Sequence, residues 1–227
     1  MITQLTVAEL TTSKLPPNKV LVKPDFKQNY VGSGAIKLRI DTRFNEEMHA
    51  PTTGKIINQC TILDRKSMEW ATTIETSKGD EIIFSYETAM ACLDEKFKGR
   101  LFVDENMDQY FLFDYESIFA IKKPDALVPV NGYVLVSAMD EVVNSHLNLT
   151  AQQSTRYGKI EYIGTPVQYY QRGGQPTNLY TEPKETIKIG DVIAFSQFSD
   201  LPLEYESHRQ TQQILFRMQR CDIDAVV

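Results

Sequence analysis

The side chains that could do chemistry are few and scattered. The 3 histidines, His49, His146 and His208, stand far apart, and none has another His or Cys at metal-ligand spacing. The 3 cysteines, Cys60, Cys92 and Cys221, are odd in number and form no C-x-x-C pair. They read as free thiols of a reducing compartment. Asp104, Glu105 and Asp108 resemble a calcium loop only loosely, because the central Gly and the closing Glu of the EF-hand pattern are absent. A solvated acidic turn is the better reading. Gly173-Gly174 lacks a following helix or a Lys-Ser/Thr pair, so it reads as a hairpin turn and not a phosphate cradle. Tyr169-Tyr170 with Arg172 could stack on a nucleobase. The net charge of −6 counts against nucleic acid as a partner. Asn148-Leu149-Thr150 fits the glycosylation pattern but reads as a chance match. The expectation is no catalytic residue, no metal, no cofactor and no enzyme.

The elements that carry these residues are short. The 227 residues suit one large or two small domains, and 42% hydrophobic content suffices for an ordinary core. The N-terminus has no basic stretch followed by an apolar one, so it is not read as a signal peptide. No apolar run approaches the ~20 residues that span a bilayer. A cytoplasmic chain with no membrane contact is expected.

A turn and a strand occur twice. Gly79-Asp80-Glu81-Ile82-Ile83-Phe84-Ser85 is answered by Gly190-Asp191-Val192-Ile193-Ala194-Phe195-Ser196. Gly permits a tight turn, Asp bonds its own backbone, and the β-branched and aromatic residues suit a strand. Other landmarks recur in the same order. Lys19-Val20-Leu21-Val22 is answered by Tyr133-Val134-Leu135-Val136, and Gly54-Lys55-Ile56 by Gly158-Lys159-Ile160. A hairpin at 58–78 is answered by one around Gly173-Gly174. Phe111 to Ile121 is answered by Gln213 to Val226. The spacings differ in loops, where insertions are tolerated. A helix or an irregular segment is expected over Thr88 to Phe97. The acidic turn Asp104 to Asp108 should join two strands, Leu101-Phe102-Val103 and Tyr110-Phe111-Leu112-Phe113. The fold class is all-β: a tail at 1–17, one small β-barrel module at 18–124 and a second at 125–227, each holding out a long loop, at 25–53 and at 137–157.

Each module resembles a GroES-type co-chaperonin. The first matches through Lys19-Val20-Leu21-Val22-Lys23, the long loop, Gly54-Lys55-Ile56, the Gly79-Asp80 strand and a closing Tyr115-Glu116-Ser117-Ile118-Phe119-Ala120-Ile121. The second matches through Tyr133 to Val136, Ser154 to Ile160, the Gly190-Asp191 strand and Asp222-Ile223-Asp224-Ala225-Val226. The tail and residues 86–109 fall outside the match. The resemblance implies irregular β-barrels that self-associate into a ring and cap a chaperonin ring, whose ATP is bound by the partner. It implies subunit contact through first and last strands, around Val20 to Val22 and Ile118 to Ile121, or Val134 to Val136 and Ile223 to Val226. It also implies contact with the chaperonin through a mobile-loop apolar tripeptide. The matching residues are Ile36 and Leu38, with Ile40 beyond, and Leu147 and Leu149 in the second loop. Both tripeptides depart from the family in having a polar centre, Lys37 and Asn148. The same barrel serves medium-chain dehydrogenases, but no Gly-x-Gly-x-x-Gly follows a strand and no α/β half is present.

The physics of such a loop fits the role. Fixing a mobile segment costs ~1–2 kcal/mol per residue. Two buried aliphatic side chains return roughly 3–6 kcal/mol. One loop binds weakly, and several on a ring bind tightly yet reversibly. The plainer alternative is that Ile36, Leu38 and Ile40 form a buried strand of their own module. At the level of function, the alternative is a GroES-fold structural or binding module, viral assembly-related for instance, that no longer contacts a chaperonin. Single-strand nucleic-acid binding is the third.

Overall fold

A computed structural model of the chain describes residues 6–26, 30–31, 38–39, 50–64, 68, 70–94, 99–140, 153–171, 175–176, 187–195, 201–203 and 215–227. The chain divides into two compact units. One is Met1–Ile62 with Thr76–Ile118, and the other is Leu63–Glu75 with Phe119–Val227. Both are built of antiparallel strands.

In the first unit the central strand is β1 (Lys19–Pro24). A two-stranded ribbon follows, β2 (Tyr30–Val31) with β3 (Leu38–Arg39), and then β4 (Thr53–Gln59). A short strand β5 (Trp70–Ala71) belongs to the other unit. Then come β6 (Glu81–Phe84), β7 (Leu101–Val103) and β8 (Gln109–Asp114). The strand order is β6-β4-β1-β8-β7. β1 needs apolar residues on both faces because it is covered on both. Val20 and Val22 share one face and Leu21 the other, and none is exposed. Leu21 packs with Val7, Leu10, Leu15 and Phe102.

Those N-terminal residues are brought there by helix α1 (Val7–Thr12). Thr6 and Glu9 form a capping box: Glu9 Oε2 accepts from the Thr6 N–H at 2.8 Å, and the Glu9 N–H donates to Thr6 Oγ1 at 3.3 Å. The bond from the Thr6 backbone lowers the Glu9 pKa. Val7 and Leu10, one turn apart, face the sheet. Asn58 of β4 donates to the Leu10 and Ser13 carbonyls at 2.6 and 2.9 Å and so satisfies the helix end. The stretch read as a tail is therefore docked from Thr6 onward. Helix α2 (Tyr86–Leu93) starts where the Ser85 side chain accepts from the Glu87 N–H at 3.1 Å, and it buries Ala89 and Cys92.

The second unit contains β9 (Ile118–Lys122) from Phe119 onward, β10 (Leu127–Pro129), β11 (Tyr133–Asp140), β12 (Gln153–Ile163), β13 (Gln168–Gln171), β14 (Gln175–Pro176), β15 (Val192–Phe195), β16 (Leu201–Pro202), β17 (Leu215–Gln219) and β18 (Ile223–Val226). The main order is β16-β17-β11-β12-β15-β18. Its core is Val134, Val136, Ile160, Ile187, Ile193, Phe195, Met218 and Ile223.

Five consecutive strands run in the same order, β6-β4-β1-β8-β7 and β15-β12-β11-β17-β16, and the match extends to single bonds. β1 and β4 pair with a bulge between Leu21/Val22, while β11 and β12 pair with one between Leu135/Val136. Gly79 and Gly190 have φ of 96° and 94°. Each donates its N–H at 2.8 Å, to the carbonyls of Ile56 and Ile160. Asp80 and Asp191 accept from the N–H three residues back, at 2.8 and 2.7 Å. The Cys60 N–H bonds the Lys19 carbonyl at 2.9 Å, as the Gly164 N–H bonds that of Tyr133 at 2.9 Å. A 3-10 turn precedes the last strand in both, Tyr115–Ser117 and Arg220–Asp222. Among the described residues no pairing closes either sheet into a barrel.

Gly54 and Gly158 sit where the bulged strands come closest. A Cβ on Gly54 would lie 2.7 Å from both the Lys23 carbonyl and Val22 Cγ1. A Cβ on Gly158 would lie 2.3 Å from Val136 Cγ1 and 2.8 Å from the Ser137 carbonyl. By contrast Gly190 has open space around it, and only its positive φ resists a side chain. Gly54→Ala and Gly158→Ala should therefore each lose about 2–3 kcal/mol in urea unfolding, through overpacking against backbone. Gly190→Ala should lose only about 1 kcal/mol.

Candidate functional site

Both long loops join the same pair of neighbouring strands. The first runs from the end of β1 to the start of β4, and the second from β11 to β12. Each therefore leaves its sheet at the equivalent end. The boundaries differ from those expected. β11 continues to Asp140 and β12 begins at Gln153, with those two residues paired, so the second connection is 141–152. Ser, Thr and Gln fill these strand ends, and they carry no apolar alternation for a sequence reading to detect.

The first loop is not structureless. Tyr30 pairs with Arg39 and Val31 with Leu38. This ribbon is separate from the large sheets. Leu38 thus lies in a short hairpin arm and not in a strand of the module's main sheet. Ile36 and Ile40, and Leu147 and Leu149 of the second loop, lie outside the described residues. So do His49, His146, His208, Arg172, Gly173 and Gly174. The strands on either side of that Gly-Gly do pair, Tyr170 with Pro176 and Gln171 with Gln175.

The edges of the sheets matter for self-association. β1 lies between β4 and β8, and β11 between β12 and β17. Neither has an open edge, so backbone pairing with another chain is closed to Val20 to Val22 and Val134 to Val136. β18 is different. Among the described residues it pairs only with β15. Its counterpart β9 takes β10, the segment preceding β11, on its edge: Leu127 pairs with Lys122, Val128 with Ile121 and Pro129 with Ala120.

Among the described residues of 58–78 no local hairpin pairing is found. β5 pairs not with a local strand but with β13, Trp70 against Tyr169 and Ala71 against Gln168. The acidic turn does join β7 and β8. Asp104 Oδ1 accepts from the Asn106 and Asp108 N–H groups at 2.9 Å each, and Oδ2 from the Tyr110 hydroxyl at 3.1 Å. Lys23 pairs with Asp108. Desolvation would raise the Asp104 pKa, but the bonds from Asp108, Tyr110 and Asn106 outweigh it and lower it. The carboxylate is thus spent on its own turn. Among the described residues no group of three or more His, Cys, Asp or Glu side chains is placed to hold a metal. No described helix is long and apolar enough to cross a membrane.

The thiols differ sharply. Cys60 and Cys92 are buried and Cys221 is exposed. Desolvation raises the Cys60 pKa, and it pushes that of Cys92 up to about 12. The two units define an all-antiparallel protein with an internal repeat. No family model matches the chain, and no curated protein matches it.

A thiol titration checks this burial. At pH 8 a disulfide reagent should modify Cys221 rapidly and leave Cys60 and Cys92 protected, with all three reacting in denaturant. The raised Cys92 pKa also carries a sign. Its contribution to stability is intact below the ordinary thiol range near 9 and is lost as pH rises toward about 12, so the protein should weaken on the alkaline side.

Proposed function

We propose that the chain is a tandem co-chaperonin-like protein. It caps a chaperonin ring through Ile36, Leu38 and Ile40 of the first loop and Leu147 and Leu149 of the second. The observation that carries the reading is the placement of Leu38. It sits in a hairpin arm apart from the main sheet, on a connection that recurs between the equivalent strands of the second copy. A duplicated scaffold holding out two long segments at equivalent positions suits a reversible lid. Each segment supplies a modest apolar anchor, and the ring sums them. The chaperonin supplies the ATP. A GroES-fold module without chaperonin contact is the second reading, favoured by the polar residues Lys37 and Asn148 between the anchors.

The strand order supports self-association. β9 accepts β10, and β18 has the same place in the repeat at the end of its sheet among the described residues. In a ring, a strand of a second copy would take the place along β18 that β10 takes along β9. Successive additions of this kind close into a ring.

Two measurements test these statements separately. Leu38→Asp with Leu149→Asp should abolish ATP-dependent capture by a chaperonin, a loss of more than about 100-fold in affinity, with the circular dichroism spectrum unchanged. Capture at the parent level would overturn the loop assignment. Light scattering should give the mass of a closed oligomer, and a monomer at micromolar concentration would overturn the ring.

A further inference from the structure

Residues 63–75 leave the first unit after Ile62 and return to it at Thr76. Both ends are held in the first unit. The Asn18 N–H donates to the Ile62 carbonyl at 3.3 Å, and Cys60 bonds Lys19 just before it. Thr76 Oγ1 donates to Gln59 Oε1 at 2.7 Å, and Gln59 Nε2 donates to the Thr76 carbonyl at 2.8 Å.

The middle is held in the second unit. β5 adds to the edge of β13. Trp70 is 7% exposed, and its ring meets that of Tyr133 edge-on at 6.1 Å and 89°. Tyr133 in turn meets Phe119 at 5.1 Å, and the Arg217 guanidinium stacks 3.9 Å from the Phe119 centroid. Glu75 Oε2 accepts from the Asn131 N–H at 2.8 Å, and Asn131 is fully buried with φ 56°. Met68 and Thr72 are buried as well.

We propose that residues 63–75 form a strap that makes the two units unfold as one. Two modules joined by a single linker melt independently, each at its own midpoint. Here the chain passes between them three times. Unfolding the second unit turns loose the Trp70 ring and the Glu75 carboxylate. The first unit is then left to close a free loop between Ile62 and Thr76, whose entropy now opposes it. Unfolding the first unit releases both anchors of the strap, and β13 keeps only its pairing with β14 once β5 is lost. The two-residue β5 pairing is too short to persist alone. The Trp70 ring and the Glu75 bond therefore carry the coupling, and both depend on residues of β9 to β11.

The chain carries its own probes. Trp70 is the sole tryptophan, so its fluorescence follows the strap and the second unit. Cys60 and Cys92 are buried in the first unit, so pulse labelling of these thiols follows that unit. Cys221→Ser removes the exposed background. In urea the two midpoints should coincide. Met218→Ala, in the second core away from the strap, should lower both together. With the strap disabled by Ala71→Pro and Glu75→Ala, the released Trp70 no longer reports the second unit, which is followed instead through a buried thiol placed in its core by Ile187→Cys; Met218→Ala should then lower the midpoint of that thiol by about 1 M and leave those of Cys60 and Cys92 in place. If Met218→Ala fails to fold, Ile193→Val serves at smaller amplitude. Separate midpoints in the parent chain would overturn the proposal, as would a joint shift that survives disabling the strap.

Discussion

No side chain fits at Gly54 or Gly158, and much of the architecture follows from that. In each unit the second long strand crosses so near the first that a single Cβ would strike a valine methyl and a backbone carbonyl. A bulge lies a few residues away in the same strand pair, at Leu21/Val22 and at Leu135/Val136, and adds twist there. The Gly-Asp turn then docks on the strand just beyond, through the N–H of Gly79 or Gly190. Strand order, turn placement and the starting points of the long loops are all set around this crossing.

The apolar face laid over that crossing explains why the central strands read as continuous hydrophobic runs. Val20, Leu21 and Val22, like Val134, Leu135 and Val136, are wholly buried. In the first unit the outer face is sealed by α1, whose helical turn is capped at one end by Glu9 and at the other by Asn58. The strands on which the two loops are rooted are thus buried on both faces.

The repeat was legible in the sequence because its landmarks are local. A glycine, an aspartate and four strand residues leave a pattern wherever the chain puts them. The strands of 101–113 and their acidic turn were legible for the same reason. Two things were not. Val7, Leu10 and Leu15 are spread through a stretch with no sustained apolar period, and their burial depends on Leu21 and Phe102 being near in space. Trp70 reads as one arm of a local hairpin, because a two-residue pairing to Tyr169 leaves no periodicity near either partner. The run of Thr72, Thr73 and Thr76 without alternation was the available hint. Of the loop anchors, Leu38 could be placed only through its backbone partner Val31, which no composition argument would have paired with it.

The copies have also diverged in a way that fixes their order. Cys60 and Gly164 make the same backbone bond, yet only the second position is crowded. A Cβ at Gly164 would lie 2.8 Å from the Tyr133 carbonyl and 3.0 Å from that of Pro129, at the end of β10. The incoming connector strand fills the room that a cysteine occupies in the first copy. A cysteine at Gly164 would therefore strike the backbone at the end of β10, so the two halves cannot exchange this residue.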